Sequence, residues 1–475
     1  MKKFIHQHKL ILLLAILFLF FRLPTLFEPN WYGDEGIYLV IGQALRHGLT
    51  LYSQIHDNKP PSLYYLAAIG QTVFGFRLLL LLWMIPTLLY FSKLSHFFFK
   101  NKAATIAFLF FFLFSSIPFI EGTIANAEIF MMLPTIAAFL LALKSNRKTS
   151  WLFVGLLLGF AFTIKVPVAV EFGFLCLWLF FKNPKSLKPW LLSLGFALPI
   201  IFYAIYFWFN GAFLPFLSAS LLQNFGYLSS WATGSHAASV TSGGLLPRLV
   251  FLVAIWIVLT VLLIRNKLSS QLHFLLCWLA AALFGALLSG RPYPHYLIQA
   301  LPPLALIVGA LFDKTQQRLI IIIALIIFAF GVKKYQFYSY PVFSYYSNFY
   351  TYALGLKSQS QYRQYFGSEV NQSYQIANYI KINTNPTDKI FVWGDNPFIY
   401  ALSQRLPITR FTVAYHIVDF SAYNEVMSIL ETTPPKFIVF VPMTGRPFPE
   451  LSSFLDRYYY IKQVFGSNLI YTLRS

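Results

Sequence analysis

The chain has 475 residues, is 57% hydrophobic and 19% aromatic, and carries only 11% charged residues with a formal net charge of +20. Soluble domains average about 25% charged residues, so the composition excludes an ordinary soluble globule and points to a multi-pass membrane protein. Helix-length apolar runs without strand alternation exclude a β-barrel, and basic residues scattered in small groups between those runs exclude nucleic acid as the partner.

The basic groups set a topology under the positive-inside rule. They are Lys2, Lys3 and Lys9; Lys93, Lys100 and Lys102; Lys144, Arg147 and Lys148; Lys182, Lys185 and Lys188; Arg265 and Lys267; Lys314 and Arg318. With the start inside, a first helix over 10–27 exits; it lacks a small-residue cleavage site and reads as retained rather than as a signal peptide. The loop 28–62 lies outside. Residues 63–92 return as a membrane-edge helix (63–74) and a span. Segment 103–119 exits and 129–143 returns. Segment 151–181 leaves and comes back near Lys165-Val-Pro167. Segments 189–209, 247–264, 271–289, 297–312 and 319–332 complete about eleven transmembrane helices, with the carboxyl end outside. The loop stretch 232–244 is expected to be mobile. Cys176 and Cys277 both sit in apolar segments and imply no disulfide framework.

The domain reading is a membrane domain over 1–332, an interfacial Tyr- and Ser-rich linker over 333–366 and a small extracytoplasmic α/β domain over 367–475. In the last, 389–393 and 436–441 read as buried strands. Residues 374–383, 397–403 and 422–432 read as helices, and 458–464 with 469–473 closes a sheet.

Four of the eight carboxylates in residues 1–332 fall in the first outer loop, around Trp31-Tyr-Gly-Asp34-Glu35-Gly36 and His56-Asp57-Asn-Lys59-Pro-Pro61. Ionised groups beside a bilayer are expensive and tend to be retained for function. The topology puts Glu121 and Glu128 on the same face, with Arg291, His295 and Tyr296 from Arg291-Pro-Tyr-Pro-His-Tyr296. A lipid-phosphate-linked sugar would suit this set. Its phosphate leaving group has a second pKa of about 6 and departs without a general acid, but it needs fixed positive charge, which Lys59, Arg291 and His295 could supply. The acceptor hydroxyl needs a carboxylate base, and Asp34 could be that base. Asp34 could also cap a helix starting at Glu35, a role compatible with catalysis, and the ordered set of motifs favours catalysis. Glu35 reads as a substrate contact or a cap. Lys165 reads as a snorkelling residue by default, and Glu171 as a partner of Lys165 or Arg22.

Asp34-Glu-Gly-Ile-Tyr38 after the first helix, then Asn58-Lys-Pro-Pro-Ser-Leu-Tyr-Tyr65, resembles the first outer loop of the GT-C glycosyltransferases. The branch is that of the protein O-mannosyltransferase-like, aminoarabinose-transferase-like and Rgt-type enzymes. Gly155-Leu-Leu-Leu-Gly-Phe-Ala-Phe-Thr-Ile-Lys165 and Pro294-His-Tyr-Leu-Ile-Gln-Ala-Leu-Pro-Pro303 resemble later segments of that branch, in the right order. The resemblance implies Asp34 as catalytic base, Lys59 as a contact of the donor phosphate, and a second acid from the next outer loop, Glu128 with Glu121 in reserve. It implies a polyprenyl-phosphate sugar donor in the cytoplasmic membrane, cell-envelope glycosylation, no required metal, and a divalent ion as an option seen in the oligosaccharyltransferase branch. The acceptor stays open. The rival reading is a transporter or flippase, which would place ionisable groups at mid-membrane depth and show internal repeats. A third is a non-catalytic scaffold.

Overall fold

The computed structural model describes residues 2–145, 147–223, 245–289, 291–313, 317–443 and 445–474. The stretch 232–244 lies outside them. Every apolar segment anticipated as a span has a helix in its place. In chain order these are Lys2–Phe27, Val73–Phe98, Asn101–Phe114, Ala127–Lys144, Ser150–Phe162, Val168–Lys182, Lys188–Phe209, Leu245–Ile264, Ser270–Ala286, Leu301–Ala310 and Arg318–Lys334. Among the described residues, four are long and apolar enough to cross a bilayer by themselves: Val73–Phe98, Ala127–Lys144, Lys188–Phe209 and Leu245–Ile264. Asn101–Phe114, Ser150–Phe162, Ser270–Ala286 and Leu301–Ala310 are apolar but shorter, at 10–17 residues. Segment 151–181 does form two helices, Ser150–Phe162 and Val168–Lys182, broken around Lys165-Val-Pro167, because a proline cannot continue the preceding helix.

Contacts gather the chain into two compact units. The first comprises Met1–Leu23, Leu80–Tyr206 and Leu221–Phe343. The second comprises Pro24–Leu79, Phe207–Ser220 and Ser344–Ser475, so the first loop groups with the carboxy-terminal portion.

Within the first unit, helices Ser150–Phe162 and Lys188–Phe209 meet backbone to backbone. A Cβ at Gly155 would fall 2.1 Å from the Leu192 carbonyl oxygen, and one at Gly195 would fall 2.0 Å from that of Leu152. Small residues permit this approach, the usual way apolar helices associate without a hydrophobic driving force. Aromatic stacking fills the neighbouring core, with Phe139 and Trp278 parallel at 3.9 Å. Arg22 is buried and donates to the carbonyls of Ser115 and Gly122, tying down the turn that carries Glu121. Glu171 accepts hydrogen bonds from Trp278 Nε1 (2.7 Å) and Gln299 Nε2 (3.1 Å). The expected pairing with Lys165 or Arg22 is therefore replaced, because neutral donors from a neighbouring helix and turn reach it first.

In the second unit, helix Gly33–Arg46 packs against Ser62–Gly70. A side chain at Gly42 would collide with the Ala67–Ala68 backbone at 2.6–2.7 Å. The carboxy-terminal portion holds a four-stranded sheet: β1 (Phe391–Trp393), β2 (Phe437–Phe440), β3 (Tyr459–Phe465) and β4 (Asn468–Leu473), in the order β1-β2-β4-β3. The β1–β2 pair is parallel and the others antiparallel. The β1 and β2 residues are almost all buried, which is why they read as unbroken apolar runs. Their core includes Phe391, Trp393, Ile438, Leu451 and Phe454. Residues 333–366, expected as a linker, contain helices Val342–Ala353 and Gln359–Gln364. Tyrosines of this segment pack: Tyr345 donates to Glu28 (2.7 Å) and Tyr352 stacks on Tyr362 at 4.6 Å.

Candidate functional site

One polar group lies in the second unit. Helix Gly33–Arg46 opens after an extended Tyr32 and has Asp34 and Glu35 in its first turn, where the helix dipole favours anions. Asp34 is inside the helix rather than at its cap, and no side chain caps that end, so the capping reading fails. Its carboxylate lies 3.3 Å from Lys59 Nζ and accepts the Tyr38 hydroxyl at 3.2 Å. The Lys59 ammonium also sits 5.0 Å above the Tyr38 ring. Aromatic hydroxyls hold the Lys59 backbone from both sides: Tyr52 donates to its carbonyl (2.8 Å), and Tyr64 accepts its N–H (3.1 Å). Tyr52 takes up this place in the left-handed region, at φ 70°.

Asp57, from the same loop, is fully buried. It accepts the Tyr64 hydroxyl at 2.6 Å, lies 4.0 Å from Lys59 Nζ and 3.4 Å from His416 Nε2. Burial pushes its carboxyl up, but Lys59, His416 and the Tyr64 hydrogen bond together outweigh it and hold the group below the usual aspartate value. His56 is buried between Phe411, Phe420 and His416. Burial first, then the neighbouring His416, pushes it down to about 4 against the pull of Asp57. Burial likewise lowers His416, against the pull of Asp57.

Glu35 has a different fate from the substrate contact expected of it. Its side chain is fully buried, and both oxygens are taken by Arg77 at 2.8 and 2.5 Å. Arg77 also donates to the carbonyls of Thr25, Glu28 and Pro29. Glu35 therefore orients the arginine that folds the start of the loop, and has no open oxygen to offer a ligand.

A second polar group lies in the first unit. Glu128, in the first turn of helix Ala127–Lys144, pairs with Lys165 Nζ at 2.7 Å and lies 3.8 Å from His295 Nε2. Lys165 is thus no snorkelling residue: a buried carboxylate captures it, and its ammonium sits 5.2 Å over the Tyr296 ring. His295 and Tyr296 lie in the short turn Pro294–Ile298, their rings edge to face at 4.5 Å. His295 Nδ1 lies 2.6 Å from Glu121 Oε2, and Asn126 donates to the same oxygen. Glu121 adopts φ 61°, a left-handed conformation that costs a non-glycine residue about 1–2 kcal/mol; the turn that imposes it aims the carboxylate at the histidine. Arg291 is exposed, just before this turn.

Asp34 and Lys59 are thus together in one unit, and Glu128, His295 and Tyr296 in the other. Sequence reasoning missed Tyr64 and His416 and undervalued Lys165. Their only signal was indirect: a carboxylate buried as Asp57 or Glu128 is buried demands partners. As to a divalent ion, no group of three or more His, Cys, Asp and Glu among the described residues is arranged to hold a metal. The carboxylates face Lys59, Lys165, His295 and His416 instead.

No protein-family profile and no curated protein sequence matches the chain. Solved structures do. The aminoarabinose transferase ArnT from Cupriavidus metallidurans, crystallised with undecaprenyl phosphate, superposes with a TM-score of 0.58 at 14% identity, covering 98% of both chains. The same enzyme in its apo state gives 0.54 at 12% identity, again over 98% of each chain. An Archaeoglobus fulgidus oligosaccharyltransferase in complex with Zn and sulfate gives 0.44 at 17% identity, over 97% of this chain and 73% of that one. The chain is a membrane protein that shares the fold of ArnT, with helices long and apolar enough to cross a bilayer and a small carboxy-terminal sheet.

Proposed function

We propose that the protein is an inverting glycosyltransferase. It moves a hexosyl or pentosyl group from a polyprenyl-phosphate-linked donor to a hydroxyl of a lipid, glycan or protein at the outer face of the cytoplasmic membrane. The observation that carries this reading is the Asp34–Lys59 pair, a base and a cation 3.3 Å apart with 32% and 16% of their side chains exposed. The fold shared with ArnT, crystallised with undecaprenyl phosphate, supports a donor of that class.

In the proposed step the acceptor oxygen attacks the anomeric carbon from the face opposite the phosphate. Its proton passes to Asp34, and the bond between that carbon and the phosphate oxygen breaks. The electron pair leaves with the polyprenyl phosphate. In the free protein Lys59 neutralises Asp34; a donor phosphate competing for the ammonium releases the carboxylate to act as base. Asp57 keeps Lys59 in reach while this exchange occurs. Glu128 is the proposed second acid, held by Lys165, with Arg291, His295 and Tyr296 as substrate contacts. No step needs a metal ion, so transfer persists in EDTA.

The test is lipid analysis of cells lacking the protein. A polyprenyl-phosphate sugar accumulates there and is cleared by the wild-type chain but not by Asp34→Asn. Clearance by Asp34→Asn overturns the base assignment, and absence of any accumulating lipid-linked sugar overturns the reading.

A further inference from the structure

Asp57 is buried, with two oxygens to satisfy. Oδ2 takes the Tyr64 hydroxyl and faces Lys59, while Oδ1 faces His416 Nε2 at 3.4 Å. The histidine belongs to the carboxy-terminal portion, on the short helix Ala414–Asp419. Backbone contacts fix its place. The Ala414 N–H donates to the Gly394 carbonyl (3.0 Å), and the Tyr415 N–H to Asp395 Oδ1 (3.0 Å). The first loop is joined to the same stretch through the His56 N–H and the Arg410 carbonyl at 2.8 Å. The separation of Asp57 and His416 is therefore set by main-chain docking. With Oδ1 engaged, the carboxylate plane is held, and Oδ2 stays turned toward the Tyr64 hydroxyl and the Lys59 ammonium.

We propose that His416 is a positioning residue for Lys59, acting through Asp57, so that the carboxy-terminal α/β portion completes the donor-phosphate contact. This rests on the reading of Lys59 given above. Without His416, Oδ1 loses the imidazole beside it, the carboxylate is held only by Tyr64 and the Asn58 N–H, and its hold on the flexible lysine stem loosens. A histidine that only filled space would alter thermal stability and leave donor affinity alone.

The experiment is a titration of the full chain in detergent with undecaprenyl phosphate, alongside transfer kinetics. Lys59→Ala is expected to abolish saturable binding. His416→Ala is expected to weaken it about tenfold, raising the donor KM while kcat at saturating donor stays near wild type. His416→Gln, which keeps an N–H donor, restores most of the affinity, and the space-filling His416→Phe does not. Asp57→Asn and the Asp57→Asn/His416→Ala double variant are expected to bind equally, because the histidine acts only through the carboxylate. Wild-type affinity in folded His416→Ala or His416→Phe, with binding lost in Lys59→Ala, overturns the positioning role alone. Additive losses in the double variant overturn the route through Asp57. Wild-type binding by Lys59→Ala overturns the donor-phosphate reading beneath both.

Discussion

The Asp34–Lys59 pair and the Glu128–Lys165 pair are built from the same groups, a carboxylate and a lysine ammonium laid over a tyrosine ring. Their settings differ. Asp34 has a third of its side chain exposed, whereas Glu128 has 3%. The two lysines are equally exposed, at 16%, so the carboxylate makes the difference: a part-exposed pair is screened by water and exchanges partners more readily. In a buried pair, removal of one member strands the other in a low dielectric. The same bond therefore opens more readily in the first region, while stability depends on it more in the second.

Substitution separates the two pairs most directly. Asp34→Asn is expected to lower transfer by about a thousandfold, the scale of a lost general base, while thermal unfolding moves by less than about 1 kcal/mol. Lys165→Met is expected to destabilise the protein by roughly 3–5 kcal/mol, because Glu128 is left buried with only the more distant His295 beside it. If denaturant unfolding ranks these two variants the other way, exposure is not what separates the regions. Arg77→Met leaves Glu35 buried and three carbonyls without their donor, and a loss of similar size, about 3–5 kcal/mol, is expected.

A smaller effect sharpens the comparison through pH. His56 falls from its ordinary 6.5 to about 4 in the folded chain, so the unfolded chain binds the extra proton between those values. Stability then rises with pH across that window and falls on acidification from about 6.5 to about 4, by roughly 3 kcal/mol in full. Melting curves at several pH values check this; in His56→Phe the acid-side loss shrinks, and an unchanged slope removes His56 as its source. The smallest effect belongs to Arg446–Asp395, where both side chains are about a third exposed: Arg446→Ala is expected to cost less than about 1 kcal/mol and to leave transfer unchanged.

Much of the architecture was legible in the chain. Apolar length, basic punctuation and proline breaks located the helices, and short apolar runs between turn residues located the four strands, because those signals are local. Asp34, Lys59 and Glu128 were legible as candidates because charge is rare in such a sequence. Partner choice was not. Glu171 turned to Trp278 and Gln299, Glu35 to Arg77, Lys165 to Glu128 and Asp57 to His416. Sequence alone determined where apolar chain must be helical and which few ionised groups needed a reason to exist. Only the tertiary structure decided which of them meet, because a buried charge is satisfied by whatever donor the packing of distant segments brings within about 3 Å, and no local pattern records that.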